Sequence, residues 1–321
     1  MNRWIIACLI MLIVASVVGA QAFAAEKVGR FTLQSNPWVN LHQWLMYEAS
    51  FKDGRPPTGL NAEQLAKWNG LVSSYKTFVG RRDPISGDEL IQTNEALSST
   101  RDFDLPGGVP KAAADVLREA MPLYRVAQWN EDDRINRFWI SIATPLLRAA
   151  GYDLAEANAK AYGVPFPTHI LVDVSAYGWQ FGSYTVGEGG HAHAVMSSLD
   201  PANQGEWMLE SLFHEPSHAI VDASSGAIGS DIARLSKELG IKPRYNLWHA
   251  ILFYTAGELT RREWLKLGVS DYQPIITRMY PIQFQGFEQP LKTYWQAYLD
   301  DKLTRAEAIR KILIDTSPPK K

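Results

Sequence analysis

The segment from Glu206 to Asp222 contains the motif that most restricts what this chain can be. It reads E-W-M-L-E-S-L-F-H-E-P-S-H-A-I-V-D and includes an H-E-x-x-H sequence from His214 to His218. On an α-helix, residues four apart lie about 40° apart around the axis and one turn apart along it. Both imidazoles therefore face the same side, where they can share a tetrahedral zinc ion. Glu215 follows the first histidine and is placed to act as general base on a metal-bound water.

Pro216 lies inside this motif and is an unusual residue there. It lacks a backbone donor, and its ring crowds the carbonyl of Leu212. A proline in a helix interior costs about 3 kcal/mol. The sequence therefore predicts a helix that kinks at Pro216 or begins near it. An H-E-x-x-H sequence also occurs in helices with two core or surface histidines, so the surrounding segments have to support a metal site.

Residues 1–25 have the composition of a secretory signal peptide. A short positive region precedes an almost wholly apolar run over residues 4–20, and a small-x-small cleavage signal ends at Ala24. Cleavage there or after Ala25 predicts a secreted or periplasmic protein with no membrane segment in its mature form. The alternative is an uncleaved membrane anchor. The only cysteine, Cys8, lies in this segment, so any zinc must be bound by histidine and carboxylate.

Residues 26–162 are predicted to form a helical sub-domain. An extended segment over 28–33 precedes helices over 36–50, 61–80, 87–99, 110–120, 130–150 and 153–162. The pattern changes at residue 163, after which strands are expected over 168–175, 184–186 and 191–197. Residues 163–321 are therefore predicted to form a second domain, in which a small sheet packs on the H-E-x-x-H helix. The predicted fold class is α+β and predominantly helical.

The third zinc ligand is sought on a later helix, because a catalytic zinc generally needs three protein ligands. Residues 247–265 form a strong helical run that contains His249 and Glu258. These two are nine residues apart and so lie on opposite faces of a straight helix. We take Glu258 as the third ligand, because Gly257 allows close helix approach and Arg262 can hold the carboxylate in place.

Other side chains are alternatives for these roles. His249 is the second choice for the third ligand, and Glu238 and Glu263 are further carboxylates. Tyr254, one turn before the predicted ligand, is the residue expected to stabilise an oxyanion, and Tyr280 is its alternative.

Three polar residues near the motif have two interpretations each. Asp222, four residues after His218, either orients an imidazole or caps the end of the helix. His191 and His193 form an H-x-H pair that can bind metal from a strand, but we favour two surface groups on an edge strand.

The stretch H-E-P-S-H-A-I-V-D resembles the zinc-binding helix of the gluzincin clan of zincin-type metallopeptidases. The resemblance covers the second half of the chain, and no family is matched over the first half. It implies a zincin-like domain, zinc held by the two motif histidines and Glu258, Glu215 as general base, and a tyrosine or histidine at the oxyanion. Pro216 departs from the pattern of the clan.

The sequence thus predicts an exported zinc-dependent hydrolase, a metallopeptidase in which Glu215 is the base and Tyr254 stabilises the oxyanion. Its partner would be a peptide or protein substrate. The formal net charge of −2 gives no electrostatic case for nucleic acid or an anionic membrane surface. The alternative is a catalytically inactive zincin-like protein that binds a peptide or glycan. A bound metal beside an intact Glu215 favours the enzyme.

Overall fold

The computed structural model describes residues 25–51, 56–100, 102–180, 182–187, 192–223 and 226–317. Within these residues the fold is α+β and 61% helical, with a small mixed sheet of five strands. This confirms the predicted fold class, while the zincin-like domain stays a prediction. The predicted signal peptide lies outside the described residues except for Ala25. Among the described helices, none combines the length and the apolar character needed to cross a membrane.

The sheet is built from strands that are far apart in the sequence. The strands are β1 (Glu26–Val28), β2 (Phe31–Ser35), β3 (Ile170–Ser175), β4 (Ser183–Thr185) and β5 (His193–Ser197). Their order is β1-β2-β3-β5-β4. The three inner strands are parallel, whereas β1 and β4 pair antiparallel at the two edges. The sheet therefore joins strands from both sides of the predicted boundary at residue 162, and the division into two domains stays a prediction.

Helices make up most of the rest of the chain. Their bounds are α1 (Pro37–Ser50), α2 (Ala62–Val79), α3 (Asp88–Ser98), α4 (Lys111–Ala127), α5 (Trp129–Tyr162), α6 (Trp207–Ser217), α7 (Gly226–Leu239), α8 (Leu247–Lys266), α9 (Ile276–Met279), α10 (Glu288–Pro290), α11 (Gln296–Leu299) and α12 (Arg305–Thr316). A 3₁₀ turn (Pro201–Asn203) precedes α6, and a π-helical turn (Leu291–Trp295) joins α10 to α11.

Helix α5 differs from the sequence prediction of two helices. It runs unbroken for 34 residues, although Pro145 and Gly151 lie inside it. Its apolar face packs on the sheet through Ile140, Ala143 and Leu147. Burial of that continuous face offsets the local cost of the proline and the glycine.

The buried apolar residues form three large clusters. One lies between the sheet, α5 and α6. A second lies among α1, α2, α3 and α4. The third is formed by α7, α8 and the helices from α9 to α12. Helix α6 contributes Met208, Leu209, Leu212 and Phe213 to the first cluster, and this fixes it under the sheet.

Candidate metal centre

Helix α6 carries the H-E-x-x-H motif and is buried from Met208 to Ser217. Its close neighbour α8 approaches it at Gly257. A Cβ at Gly257 would lie 2.6 Å from Cβ of Pro274 and 3.1 Å from Oε1 of Glu210. The close approach predicted for this glycine is therefore present. The α6 side chain that lies against Gly257 is the carboxylate of Glu210.

Pro216 lies in the last turn of α6, which ends at Ser217. After Ser217 the backbone continues in turns of the 3₁₀ type, in which each N–H donates to the carbonyl three residues earlier. The N–H of His218 donates to the carbonyl of Glu215 at 3.1 Å, and that of Ala219 donates to the carbonyl of Pro216 at 3.2 Å. The predicted kink or helix start is thus replaced by a helix end. Pro216 still cannot donate to the carbonyl of Leu212, but α6 does not continue beyond Ser217, so no following turn of the helix is bent.

Three histidines come together at this helix end. His214, His218 and His249 each offer one ligand atom, and these atoms all lie within 4.8 Å of one another. Nε2 of His214 is 3.3 Å from Nε2 of His218. A tetrahedral zinc ion at about 2.0–2.1 Å from two nitrogens holds them about 3.4 Å apart. The ring of His249 is centred 5.5 Å from that of His214 and 5.1 Å from that of His218, so the donor set fits one shared ion.

All three imidazoles are held in the neutral form that a metal ligand requires. Burial lowers the pKa of His218 to about 4, against the opposing charge of Asp222. Burial and the neighbouring His218 lower the pKa of His249 to about 3. The pKa of His214 falls well below its usual value, first through burial and then through repulsion by the other two histidines.

The structure does not bring Glu258, the predicted third ligand, to these histidines. Its carboxylate accepts hydrogen bonds from Nε and Nη2 of Arg261 at 2.7 and 2.9 Å and from Nε of Arg262 at 2.8 Å. A further bond comes from Gln296 at 3.1 Å. The opposite face of α8 carries His249, and this face is the one turned toward α6.

The predicted oxyanion residue also lies elsewhere. The hydroxyl of Tyr254 donates to Oε1 of Gln296 at 2.7 Å, and neither Tyr254 nor Tyr280 is among the residues that line the cavity at the histidines. The alternative carboxylates are engaged in ion pairs. Glu238 pairs with two arginines of α7 and α12, and Glu263 pairs with a lysine of its own helix.

Glu215 is held beside the histidines by the edge strand β4. Its carboxylate lies 2.9 Å from Oγ of Ser183 and 3.0 Å from Oγ1 of Thr185. Oγ1 of Thr185 is also 2.7 Å from the backbone carbonyl of Glu215. Burial raises the pKa of Glu215 to about 7, although the two hydroxyls oppose this. A carboxyl group that titrates near neutrality can both accept and return a proton.

A cavity of about 470 Å³ opens over this group. The β4 residues and the first turns of α8 form two of its walls, and Phe253, Ile275 and Met279 give it an apolar side. Asp222 also lines it. The volume is that of a small-molecule site, so the histidines and Glu215 are reachable by a ligand.

His193 is not the surface group that we favoured from the sequence. It is buried, because β5 is an inner strand and α3 lies against it. Its Nε2 is 2.8 Å from Oδ2 of Asp173, and its Nδ1 is 2.9 Å from Oε1 of Glu95. Burial opposes the charge of His193, but the two carboxylates outweigh it and raise its pKa to about 9. His191 lies outside the described residues.

Comparisons of the chain with protein families, with curated proteins and with solved structures found no match. The resemblance of the motif to the gluzincin clan therefore stays an expectation from sequence. The molecule is characterised by its site, in which three neutral histidines and one buried glutamate share the wall of a single cavity.

Proposed function

We propose that this protein is an exported zinc-dependent hydrolase, a metallopeptidase, with His214, His218 and His249 as the zinc ligands. The observation that carries the proposal is the convergence of three ligand atoms from these residues within 4.8 Å. Three histidines are a known ligand set for a catalytic zinc, which keeps its fourth position for water or substrate. A zinc ion bound there would supply a water of lowered pKa and polarise a carbonyl.

Glu215 is the general base in this proposal. It follows the first ligand in the motif, and the hydroxyls of Ser183 and Thr185 fix its carboxylate on the cavity wall. From that position it accepts the proton of the attacking water and returns it to the leaving amine. Burial excludes bulk water from the carboxylate, which strengthens its interactions with the reacting groups.

The geometry of β4 supports a peptide as substrate. Among the described strands, β4 pairs with β5 alone and forms one edge of the sheet. Ser183, Tyr184 and Thr185 of this strand all line the cavity. An edge strand beside a reactive group can hold an extended peptide by backbone pairing.

The test measures zinc content and peptide hydrolysis in the same purified protein. We expect one zinc per chain and cleavage of members of a mixed peptide library, detected by mass spectrometry. Glu215→Gln should keep the zinc and lower the rate by about 10²–10⁴-fold, the usual contribution of a general base. A wild-type protein that takes up no zinc under metal-replete conditions would overturn the proposal.

Binding without catalysis is the second candidate function. It is favoured by Pro216, which ends α6 inside the motif, and by the two hydroxyls that already engage Glu215. Such a protein would hold a peptide or glycan in the same cavity. Bound zinc and calorimetric peptide binding, with no product from any peptide in the library, would support this function over hydrolysis.

A further inference from the structure

We propose that Trp248 and Phe253 are positioning residues that align the three histidines for a metal ion by ring packing. The inference rests on the proposed function, since it assigns roles to the surroundings of the same ligands. Both residues belong to the first two turns of α8, which also carries His249.

Phe253 contacts the first and the third histidine. Its ring is centred 4.0 Å from that of His214 and 4.9 Å from that of His249. On its other side, Phe284 lies 5.4 Å from Phe253 and 5.8 Å from His249 between ring centres. Phe253 is thus held between Phe284 and the two histidines, and it bridges α6 and α8.

Trp248 contacts the second and the third histidine. Its ring is nearly parallel to that of His249, with an interplanar angle of 14° and centres 4.9 Å apart. It meets the ring of His218 edge to face at 5.7 Å. Each of the two aromatic residues therefore contacts His249 and one histidine of the motif.

In the described part of the chain, the second ring nitrogen of His214 provides no hydrogen bond for this alignment. A metal-bound histidine usually donates its second ring N–H to a carboxylate or carbonyl, and that bond fixes the ring. Nε2 of His214 lies 3.3 Å from Nε2 of His218, so Nδ1 is its second ring nitrogen. Within the described residues, this Nδ1 is buried and has no hydrogen-bond partner. The torsion that turns an imidazole about its Cβ–Cγ bond has broad minima, so neighbouring rings are left to set the orientation of His214.

Removal of an aromatic ring should therefore weaken metal binding. Phe253→Leu keeps an apolar side chain but takes away the flat surface against His214 and His249. Loss of an outer partner of a metal ligand typically lowers metal affinity about 10–100-fold. We expect the zinc Kd to rise about tenfold or more in Phe253→Leu and in Trp248→Leu, where tenfold is the lower end of that range.

The experiment titrates the full-length apo protein with zinc in competition with a chelating dye. Phe253→Tyr keeps the ring and should bind zinc like the wild type. Phe287→Leu is the matched control, because Phe287 is buried in the same apolar cluster and lies outside the cavity lining.

Thermal unfolding of the apo forms shows that each variant is folded. The visible absorption bands of the cobalt(II) forms report the coordination geometry, and we expect them to shift in Phe253→Leu and not in Phe287→Leu.

The outcomes separate this inference from the function on which it rests. Unchanged zinc affinity and cobalt spectra in both leucine variants would overturn the positioning role and leave the metal site intact. A purely structural role would lower the stability of the variants without altering either measurement. A wild-type protein that binds neither zinc nor cobalt would overturn both proposals.

Discussion

His249 and Glu258 lie on the same helix, yet His249 joins the histidine cluster while Glu258 is bound by Arg261 and Arg262. Their separation of nine residues places them on opposite faces of α8. One face meets α6 at the candidate metal centre. The other face meets the C-terminal helices through Gln296. A single helix thus connects the site to the ion-pair network that anchors it.

Substitutions at these two positions should have different effects. We expect His249→Ala to lose zinc with its fold intact. Glu258→Ala should retain zinc but lower the free energy of unfolding by about 1–3 kcal/mol, because two arginines and a glutamine lose their buried acceptor. Metal analysis and urea unfolding of both variants check this. Zinc lost from Glu258→Ala but kept by His249→Ala would restore Glu258 as the ligand.

The hydroxyl of Thr185 should matter for turnover more than for binding. Thr185→Val removes the group that holds the carboxylate of Glu215 and keeps the shape of the side chain. We expect kcat to fall about tenfold or more, equivalent to about 1.4 kcal/mol and typical of a hydrogen bond to a charged group. KM and zinc content should not change, and Thr185→Ser should restore kcat. An equal kcat in Thr185→Val and the wild type would show that the hydroxyl of Thr185 does not position the base.

The buried His193 should make stability depend on pH. The groups that face it are Asp173 from β3 and Glu95 from α3. Its pKa of about 9 in the folded protein lies above the value of about 6.5 in the unfolded chain. The folded state therefore binds more protons between these values, and stability falls as pH rises through this window.

The contribution of the charged imidazole is fully present below about pH 6.5 and amounts to about 3 kcal/mol at most. Urea unfolding at about pH 6 and about pH 9.5 measures the difference. His193→Gln should be less stable at the lower pH and should show a smaller change between the two. A variant with the same pH dependence as the wild type would contradict this assignment.

Two glycines inside helices should respond oppositely to alanine. A Cβ at Gly257 would meet Pro274 and Glu210 at 2.6 and 3.1 Å, whereas a Cβ at Gly70 of α2 meets nothing within 4 Å. Gly257→Ala should lower the free energy of unfolding by about 1–3 kcal/mol through overpacking. Gly70→Ala should raise it by up to about 1 kcal/mol through helix propensity. Thermal or urea unfolding of the pair checks both signs, and stabilisation by Gly257→Ala would show that α6 and α8 have room to separate.

Local patterns predicted most of the secondary structure. The alternation T-H-I-L-V-D-V-S over 168–175 predicted a strand, and β3 occupies residues 170–175. The T-x-x-E spacing of Thr304 and Glu307 is that of a capping box, and both of its hydrogen bonds are present. These features depend on neighbours a few residues away. The unbroken course of α5 through Gly151 was not predicted, because it depends on burial against a sheet that is distant in the sequence.

The third histidine could not be selected in the same way. No local rule states which face of α8 turns toward α6, and this left both His249 and Glu258 open. One signal favoured the histidine. Glu258 is followed by arginines at the third and fourth positions, a spacing that satisfies a carboxylate within its own helix. His249 has aromatic neighbours at 248 and 253 instead, which predicts a buried face.

The pairing of β2 with β3 has a consequence for how the protein folds. Gln34 and Asp173 are register partners and lie 139 positions apart. Closing a loop of that length carries an entropy cost before any contact compensates it, and such long-range pairing slows folding. The helices from α1 to α4 pack with near neighbours in the chain and can form earlier. Among the described strands, the one that holds Glu215 joins the sheet through β5 and β3. These three strands lie within residues 170–197, so the part of the sheet beside Glu215 can form from contacts between near neighbours before β2 pairs with β3.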